Sequence, residues 1–426
     1  MDKAPFLLRA LRHRNYRLFF LGQVVSVTGT WMTSTATSWL VYRLTGSGWL
    51  LGITAFASSF PAFLLAPAAG VYVDRWDQRR LMMATQALSL AQSLALAWLT
   101  FSGHVTMGWV VALCAAQGLV NAFDMPCRQA FVVSLVEDRA DLTNAIALNS
   151  TMFNGARLVG PALAGLIVSR WGETACFLID GVSYLGVIAA LWAMDIVAPP
   201  RRADSGGGAL AQLHEGWKAV FHFLPTRSII LLLSLLSLAG APFGVLLPLV
   251  AADTLGGGAH TLGFLMAASG VGATAGALWL ASRRSVLGLG GTIPAASVGF
   301  GAALCGLAFV RSEAAAMALL AVVGAGLVLQ YASSNTILQS IVDDDKRGRV
   351  MSFFSMSYLG AAPVGGLMAG AAADRWGVQW TLVVMGLLCL GGGVWFARRL
   401  PEIREAIRPV YRRKGILPPL PAVEPA

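Results

Sequence analysis

Long apolar segments of about 20 residues or more recur along this chain, and they constrain its fold more than any other feature. The residues are 56% hydrophobic and only 12% charged, whereas about 25% charge is usual in a soluble domain. In a bilayer every backbone polar group must be bonded within the protein, so segments of this length form helices. The sequence therefore predicts an all-α membrane protein with twelve transmembrane helices, near residues 16–42, 49–73, 81–101, 106–133, 146–168, 175–194, 228–250, 261–282, 290–310, 314–341, 350–373 and 380–397.

The net charge of +10 is concentrated on one side of these segments. The first apolar segment is too long for a signal-peptide core, so the N-terminus is expected to start inside. With that start, the opposite side holds little more than Arg43, Arg170, Arg311 and Arg375. This positive-inside distribution predicts a multi-pass protein of the inner (plasma) membrane with both termini in the cytoplasm. The topology in the lipid bilayer therefore explains the net positive charge, and we expect no nucleic acid as a partner.

The reactive side chains do not form a catalytic or metal-binding pattern. Five cysteines are scattered without a Cys-x-x-Cys pair, and the five histidines lie in separate segments without a His-Glu-x-x-His motif. These cysteines are typical of small apolar residues in a membrane protein. We therefore expect neither a cofactor nor a metal, and no enzyme activity.

A dense cluster of charge, GVYVDRWDQRR, lies between the second and third apolar segments. Its residues Gly70, Asp74, Arg75, Arg79 and Arg80 resemble the signature loop between helices 2 and 3 of the major facilitator superfamily. That resemblance implies a cytoplasmic gate, in which the acid and the arginines latch two halves of the protein together. We predict that Asp74 contacts the positively polarised first turn of helix 11 in the outward-facing state. The alternative is a basic loop that only sets topology.

The chain also carries an internal duplication, which supports the same fold. The segment NGARLVGPALAGLIVSRWG of helix 5 recurs as LGAAPVGGLMAGAAADRWG in helix 11, and a constant offset relates Ser150 to Ser355 and Gly165 to Gly370. Parallel repeats of this kind are expected in the superfamily, and they predict two pseudo-symmetric six-helix bundles. The predicted domains are an N-terminal bundle, a cytoplasmic linker with an amphipathic helix, a C-terminal bundle and a basic, disordered tail, at 1–198, 199–227, 228–397 and 398–426.

Three polar side chains at membrane depth, Asn154, Arg157 and Asp180, are candidates for the substrate or proton pathway, and a fourth, Asp124, is a candidate for the gate. Asp124 is expected near the inner end of helix 4, either as a partner of Arg75 or in a local pair with Arg128. Asn154 and Arg157 continue a polar stripe on helix 5, with Arg157 about 16 Å from either end. A buried arginine normally faces a cavity or a partner, although this one could instead extend to the cytoplasmic interface. Asp180 in helix 6 is either a proton carrier or counter-charge, or a structural hydrogen-bonding group.

Small residues on helix 5 give a second resemblance. Gly155, Gly160, Pro161 and Gly165 permit close helix crossing, and their Gly-Pro pair resembles the antiporter signature of drug-efflux members. With the runs LTNAIALNSTMFNGARLVGPALAG and RGRVMSFFSM, the chain resembles the exporter branch that includes the enterobactin exporter and macrolide efflux proteins. It departs from many drug:proton antiporters in having Cys114 where they have an arginine in helix 4, and in lacking an acid on helix 1.

These patterns together predict a monomeric secondary transporter that exports a small amphipathic molecule, such as a drug or siderophore, with protons as the coupling ion. Aromatic and methionine residues suit a partly aromatic ligand: Trp31, Met32, Met152, Phe153, Phe353, Phe354, Met356 and Tyr358. Most of these are expected to pack or to face lipid. The alternatives are a lysophospholipid or lipid carrier of the same fold and, in other classes, a membrane enzyme or a non-transporting scaffold.

Overall fold

The first half of the computed structural model contains six long helices. The structure describes residues 6–136, 138–194, 220–283 and 285–418. A 3-10 turn, Phe6–Arg12, precedes α1. The helices are α1 Arg14–Thr45, α2 Gly48–Arg75, α3 Gln78–Phe101, α4 Met107–Ser134, α5 Arg139–Trp171 and α6 Glu173–Trp192.

The second half repeats this arrangement with a more irregular first helix. In α7, Leu224–Thr254, two π-helical turns, Leu236–Gly240 and Val250–Thr254, follow its α-helical parts. Pro242 and Pro248 lie in this region, and a proline removes a backbone donor and disturbs regular bonding. The next helices are α8 Ala259–Ala281, α9 Leu289–Leu307 and α10 Glu313–Ile341.

The last helical stretch, Asp344–Arg413, contains two helices. Gly377 has a positive φ of 82° and breaks the helix, a conformation that glycine adopts without steric cost. The break separates α11, residues 344–376, from α12, residues 378–413. Ten stretches of the described chain are long and apolar enough to cross a membrane, and one of them contains both α11 and α12. With the less apolar α1, the described chain has twelve long helices, and the twelve-helix prediction is confirmed.

Equivalent helices pair in the same way in the two halves. In the first half α2 and α3 pack on α4, and α3 also packs on α6; in the second half α8 and α9 pack on α10, and α9 packs on α12. The halves contact each other through α2 with α11 and α5 with α8. This is an all-α arrangement of two pseudo-symmetric six-helix bundles, as the internal duplication predicts.

We call the end of the bundle that carries both termini the terminus side and the opposite end the far side. Exposed tryptophans occur near both ends. Such belts are typical of the two membrane–water interfaces, because the indole ring is apolar with one polar edge. On the terminus side they are Trp76, Trp192 and Trp279, and on the far side Trp49, Trp98, Trp109, Trp171, Trp376 and Trp380.

The C-terminal segment corrects one expectation. The tail from residue 398 was expected to be disordered, but α12 continues to Arg413. Its residues Ile403, Ile407 and Tyr411 are buried, since a spacing of four places them on one face of the helix. Arg413 also forms an ion pair of 2.8 Å with Asp343. The proline-rich end from residue 419 and nearly all of the predicted linker helix lie outside the described residues.

Candidate functional site

Glycines bring α2 and α11 into close contact on the far side. A Cβ atom added to Gly48 would lie 2.9 Å from the carbonyl oxygen of Gly370, and one added to Gly52 would lie 2.7 Å from that of Gly366. Real Cβ atoms do not approach a backbone oxygen so closely, so only glycine allows this backbone contact. The contact joins the first half of the protein to the second.

Asp374, at the far-side end of α11, caps the N-terminus of α2. Its carboxylate accepts hydrogen bonds from the Gly48 amide at 2.6 Å, the Trp49 amide at 3.2 Å and the Ser47 hydroxyl at 2.6 Å. Free backbone amides and the helix dipole make a helix N-terminus attractive to a carboxylate. Asp374 therefore closes the far side by bonding one half to the other.

Asp374 was not among the candidate residues chosen from the sequence, although a repeated sequence motif points to it. The spacing Gly-x-x-x-Asp-Arg-Trp occurs twice, at 70–76 and at 370–376. Because α2 and α11 run antiparallel, the first copy ends at the terminus side and the second at the far side. The acid of the second copy holds the N-terminus of α2, which is the mirror image of the contact predicted between Asp74 and α11. The side chain of Asp74 is outside the described part of the structure.

A second seam joins α5 to α8. A Cβ atom added to Gly165 would lie 2.8 Å from the Ala259 carbonyl oxygen and 3.1 Å from the Gly263 Cα, while one added to Gly263 would meet the Pro161 carbonyl oxygen. Gly160 instead faces Trp31 of α1, within the same half. Of the four residues in the predicted packing signature, Gly160, Pro161 and Gly165 thus lie in close helix contacts.

Three glycines nearer the terminus side lack the close contacts of the far-side seams. Within the described chain, no atom lies within 4 Å of a Cβ added to Gly70 on α2, Gly155 on α5 or Gly348 on α11. These glycines occur on the helices that form the far-side seams. At these positions the helices therefore make no close contact of that kind.

The signature loop is held by contacts within the first half. The Arg79 guanidinium donates a hydrogen bond of 3.1 Å to the Trp192 carbonyl oxygen at the end of α6. Asp77 caps α3 by accepting from the Arg80 amide at 3.0 Å, while the side chain of Arg80 is largely exposed, as is Arg75. The predicted latch to α11 stays a prediction.

Asp124 is buried in the first half. Its carboxylate accepts hydrogen bonds of 2.8 Å from both Thr85 and Gln86 on α3, and it forms an ion pair with Arg128 one turn later. Of the two expected pairings, the structure contains the local one with Arg128. Thr85 and Gln86 were not predicted, because only the packing of α3 on α4 brings them to the carboxylate.

We expect Thr85→Val to lower the thermal stability of the purified protein. Valine matches the shape of threonine but removes one hydrogen bond to a buried charge, an interaction that contributes about 1.5 to 3 kcal/mol. The midpoint of thermal unfolding in detergent should fall by several degrees. Thr85→Ser, which keeps the hydroxyl, is the control and should stay close to wild type; an equal fall in both variants would contradict the role of this bond.

Asp180 is 1% exposed and lies between α6, α3 and α1. Ser93 donates a hydrogen bond of 2.9 Å to its Oδ2 atom, and the hydroxyl groups of Thr33 and Tyr184 also lie against this carboxylate. One turn later, Tyr184 lies 3.2 Å from the Thr30 hydroxyl and within electrostatic range of Asp124 and Asp180. Tyr184 is therefore influenced by both carboxylates inside the first half.

Arg157 lies between the two halves. Its guanidinium stands 5.9 Å from the centre of the Trp31 ring on α1 and within electrostatic range of Tyr358 on α11. Tyr358 in turn packs against Tyr331 on α10, with ring centres 4.6 Å apart. Asn154, one turn before Arg157, donates a hydrogen bond of 2.9 Å to the Ser150 carbonyl oxygen. The structure therefore places one arginine among aromatic side chains from both halves.

The other predicted aromatic and methionine residues divide between packing and open surface. Met32, Met152 and Phe354 are buried and serve as core residues. Trp31, Phe153, Phe353 and Tyr358 are half-buried, and Met356 is exposed. Tyr331 was missed by sequence reasoning because only the fold brings α10 next to α11.

Two six-helix halves that are joined by close contacts on one side, with an arginine between them, have the architecture of a polytopic membrane transporter. Residues 7–417 match the family model described as transmembrane secretion effector. The chain belongs to this family of the major facilitator superfamily.

Several characterised transporters are similar to the chain over nearly their whole length. The staphyloferrin A transporter of Staphylococcus aureus is 25% identical, over 91% of this chain and 97% of that protein. The multidrug efflux pump Tap of Mycolicibacterium fortuitum is 26% identical, over 92% and 98%. Macrolide efflux protein A of Streptococcus pyogenes is 22% identical, over 89% and 95%.

Solved structures support the same fold. An inward-facing bacterial homologue of the lysosomal transporter Spinster gives a TM-score of 0.71 at 12% identity, covering 95% of this chain and 99% of that one. The nucleoside transporter NupG gives 0.69 at 14% identity, covering 91% and 98%. At these identities the similarity concerns the fold alone.

Proposed function

We propose that this protein is a secondary active transporter that exports a small amphipathic molecule, such as a drug or a siderophore, by alternating access. The observation that carries this proposal is the asymmetry between the two sides. The halves are joined across the far side by Asp374 and the glycine seams, and no such close contact occurs at Gly70, Gly155 and Gly348 nearer the terminus side. Arg157 lies between them, where a molecule entering from the terminus side would reach it.

The charge distribution supports an orientation. Lysines and arginines are concentrated on the terminus side, which the positive-inside rule assigns to the cytoplasm. In that orientation, in the plasma membrane, the structure represents an inward-open state. Residues 1–198 and 228–397 then act as the two moving bodies of a monomer, joined by the segment 199–227.

The two copies of the Gly-x-x-x-Asp-Arg-Trp spacing support a mechanism for gating. In the inward-open state Asp374 caps α2 on the far side. In the outward-open state Asp74 caps the N-terminus of α11 instead, with Gly70 providing the close approach that Gly370 provides on the far side. Each carboxylate bonds to a helix N-terminus in only one of the two states, so the two latches favour opposite states.

We propose protons as the coupling ion, with Asp180 as the proton carrier. Asp180 is a buried carboxylate at membrane depth, and it forms no ion pair with a cationic side chain of the described residues. Ser93 donates a hydrogen bond to its carboxylate, and Tyr184 and Thr30 provide further hydroxyl groups nearby. The buried carboxylate of Asp124 already forms an ion pair with Arg128, so Asp180 is the better candidate.

The test uses everted membrane vesicles with an acidic interior. A lipophilic cation, a macrolide, a catechol chelator and a hydroxycarboxylate chelator are added in turn, and collapse of the pH gradient is followed with a fluorescent dye. We expect one compound to dissipate the gradient with the wild-type protein. Asp180→Asn should abolish this response because an amide cannot carry the proton.

The controls separate coupling from transport. Glu313→Gln changes a carboxylate in the first turn of α10 and should respond as wild type does. A normal response from Asp180→Asn would exclude Asp180 as the proton carrier. If labelled substrate accumulates in the vesicles while the pH gradient stays intact, the protein is an exporter without proton coupling. If only a labelled lipid accumulates, the protein is a lipid carrier and the proposal is wrong.

A further inference from the structure

The charge of Arg157 has no counter-charge in an ion pair among the residues that the structure describes. At 1.5 Å per residue, this side chain is roughly 27 Å from the start of α5 and roughly 21 Å from its end. Asp124 is already paired with Arg128, and Asp180 is buried on the side of α3 and α6. Within the described part of the chain, the guanidinium of Arg157 is therefore an unpaired positive charge.

From this unpaired charge we propose that Arg157 is the binding site for an anionic group of the substrate. The group is a carboxylate or a similar oxyanion on an aromatic or amphipathic molecule. This inference rests on the proposed function and specifies its substrate class. A guanidinium has five N–H donors and no acceptor, and a carboxylate matches its geometry with two parallel hydrogen bonds. Insertion of an arginine at the centre of a membrane costs at least about 2.5 kcal/mol, and a bound anion offsets that cost.

Aromatic neighbours make the site suitable for an amphipathic ligand. The ring of Trp31 on α1 has its centre 5.9 Å from the guanidinium, and Tyr358 on α11, in the second half, is within electrostatic range of it. Tyr331 extends this aromatic surface, with its ring centre 4.6 Å from that of Tyr358. The anionic group of the ligand would bind Arg157 while its apolar body lies on these rings.

The position of Arg157 also links binding to the seam between the halves. A Cβ added to Gly270 on α8 would lie 3.3 Å from the Arg157 carbonyl oxygen, so the backbone of this residue takes part in the α5–α8 contact. A ligand at Arg157 therefore lies beside a contact that joins the two halves. The same positive charge repels cationic molecules of equal size, which gives the site charge selectivity.

The inference is tested by equilibrium binding of three fluorescent probes of similar shape. These are dansylglycine, an anion; dansylglycinamide, which is neutral; and N-(2-aminoethyl)dansylamide, a cation. Binding is measured to the full-length protein in zwitterionic nanodiscs, with empty nanodiscs subtracted. We expect the wild-type protein to bind the anion at least about tenfold more tightly than the amide, and the cation most weakly.

Four variants show whether Arg157 causes the preference. Arg157→Gln should reduce the ratio of the affinities for the anion and the amide to about one. Arg157→Lys should retain the order of affinities but bind the anion more weakly, because an ammonium lacks the planar pair of donors. Asn154→Asp places a carboxylate one turn from the intact arginine and should also remove the preference. Arg170→Gln, at an exposed arginine near the far end of α5, is the matched control and should behave as wild type.

Three results would overturn the inference. The first is equal affinity of the wild-type protein for the anion and the amide, and the second is an unchanged preference in Arg157→Gln. The third is no binding of the anion to wild-type protein whose cooperative thermal unfolding shows that it is folded. Equilibrium binding in nanodiscs needs neither a proton gradient nor a transport direction. A failure of export in vesicles with the charge preference intact would therefore count against the proposed function alone.

Discussion

Gly165→Leu is expected to abolish closure of the far side and to reduce transport at least tenfold. A Cβ at this position already meets the Ala259 carbonyl oxygen at 2.8 Å and the His260 Cα at 3.0 Å, and a leucine adds three more carbon atoms. Overpacking of a tight contact costs about 1 to 3 kcal/mol, and 1.4 kcal/mol is a tenfold change in an equilibrium. The population should therefore shift toward the state that is open on the far side.

Gly155→Leu is the matched substitution on the same helix, and we expect the opposite shift. No atom lies within 4 Å of a Cβ at Gly155 in this state, so the larger side chain fits here. Closure of the terminus side would bring the second half toward it, and the leucine would oppose that closure. Transport should again fall, but with the protein held in the state described here.

The two shifts can be measured by electron paramagnetic resonance distances in a variant without the five native cysteines. Spin labels at the exposed positions His104 and Ser312 report on the far side, and labels at Ser134 and Ser282 report on the terminus side. Gly165→Leu should lengthen the far-side distance and Gly155→Leu should not. If both substitutions changed the distances in the same direction, the prediction that Gly165 permits closure of the far side and Gly155 permits closure of the terminus side would be wrong.

Asp374→Ala is expected to shift the conformational equilibrium about tenfold toward the far-side-open state. The substitution removes three hydrogen bonds at the N-terminus of α2. A typical hydrogen bond contributes about 0.5 to 1.5 kcal/mol. Because Asp374 is exposed to solvent, each of its three hydrogen bonds is expected to contribute an energy near the lower end of that range. Asp374→Asn keeps one acceptor oxygen and should give a smaller shift.

The same pair of far-side labels measures this effect, with Glu313→Gln as the control. Glu313 is another far-side carboxylate, but it lies in the first turn of α10, within the second half. If Asp374→Ala left the distance distribution unchanged, the cap would be only an incidental surface contact. If both variants changed it equally, the effect would come from surface charge and not from the latch.

Much of the fold could be predicted from the sequence because a bilayer imposes strict requirements. Segments long enough to span it must be helical, and the short turns at Gly46 and Gly172 leave little choice of connection. The repeat between helices 5 and 11 then predicted two equivalent bundles. The C-terminal segment was predicted wrongly, since charged residues from Arg398 onward concealed an amphipathic face that packs on the second half.

The candidate site was less predictable, because its contacts connect residues far apart in the chain. The i,i+4 spacing of Asp124 and Arg128 allowed their pairing to be foreseen as one of two alternatives. Thr85 and Gln86 share that carboxylate only through the packing of α3 on α4.

The sequence by itself determined the helices, the membrane environment, the duplication and the family, because these depend on local hydrophobicity and on motifs. Only the tertiary structure decided which side is closed, that Asp374 caps α2, and that Arg157 has aromatic neighbours from both halves but no carboxylate among the described residues. The physical reason is that a helix packing face is selected by its neighbours. In a membrane the apolar residues on all faces are nearly equivalent, so glycine contacts and a few polar bonds determine the choice.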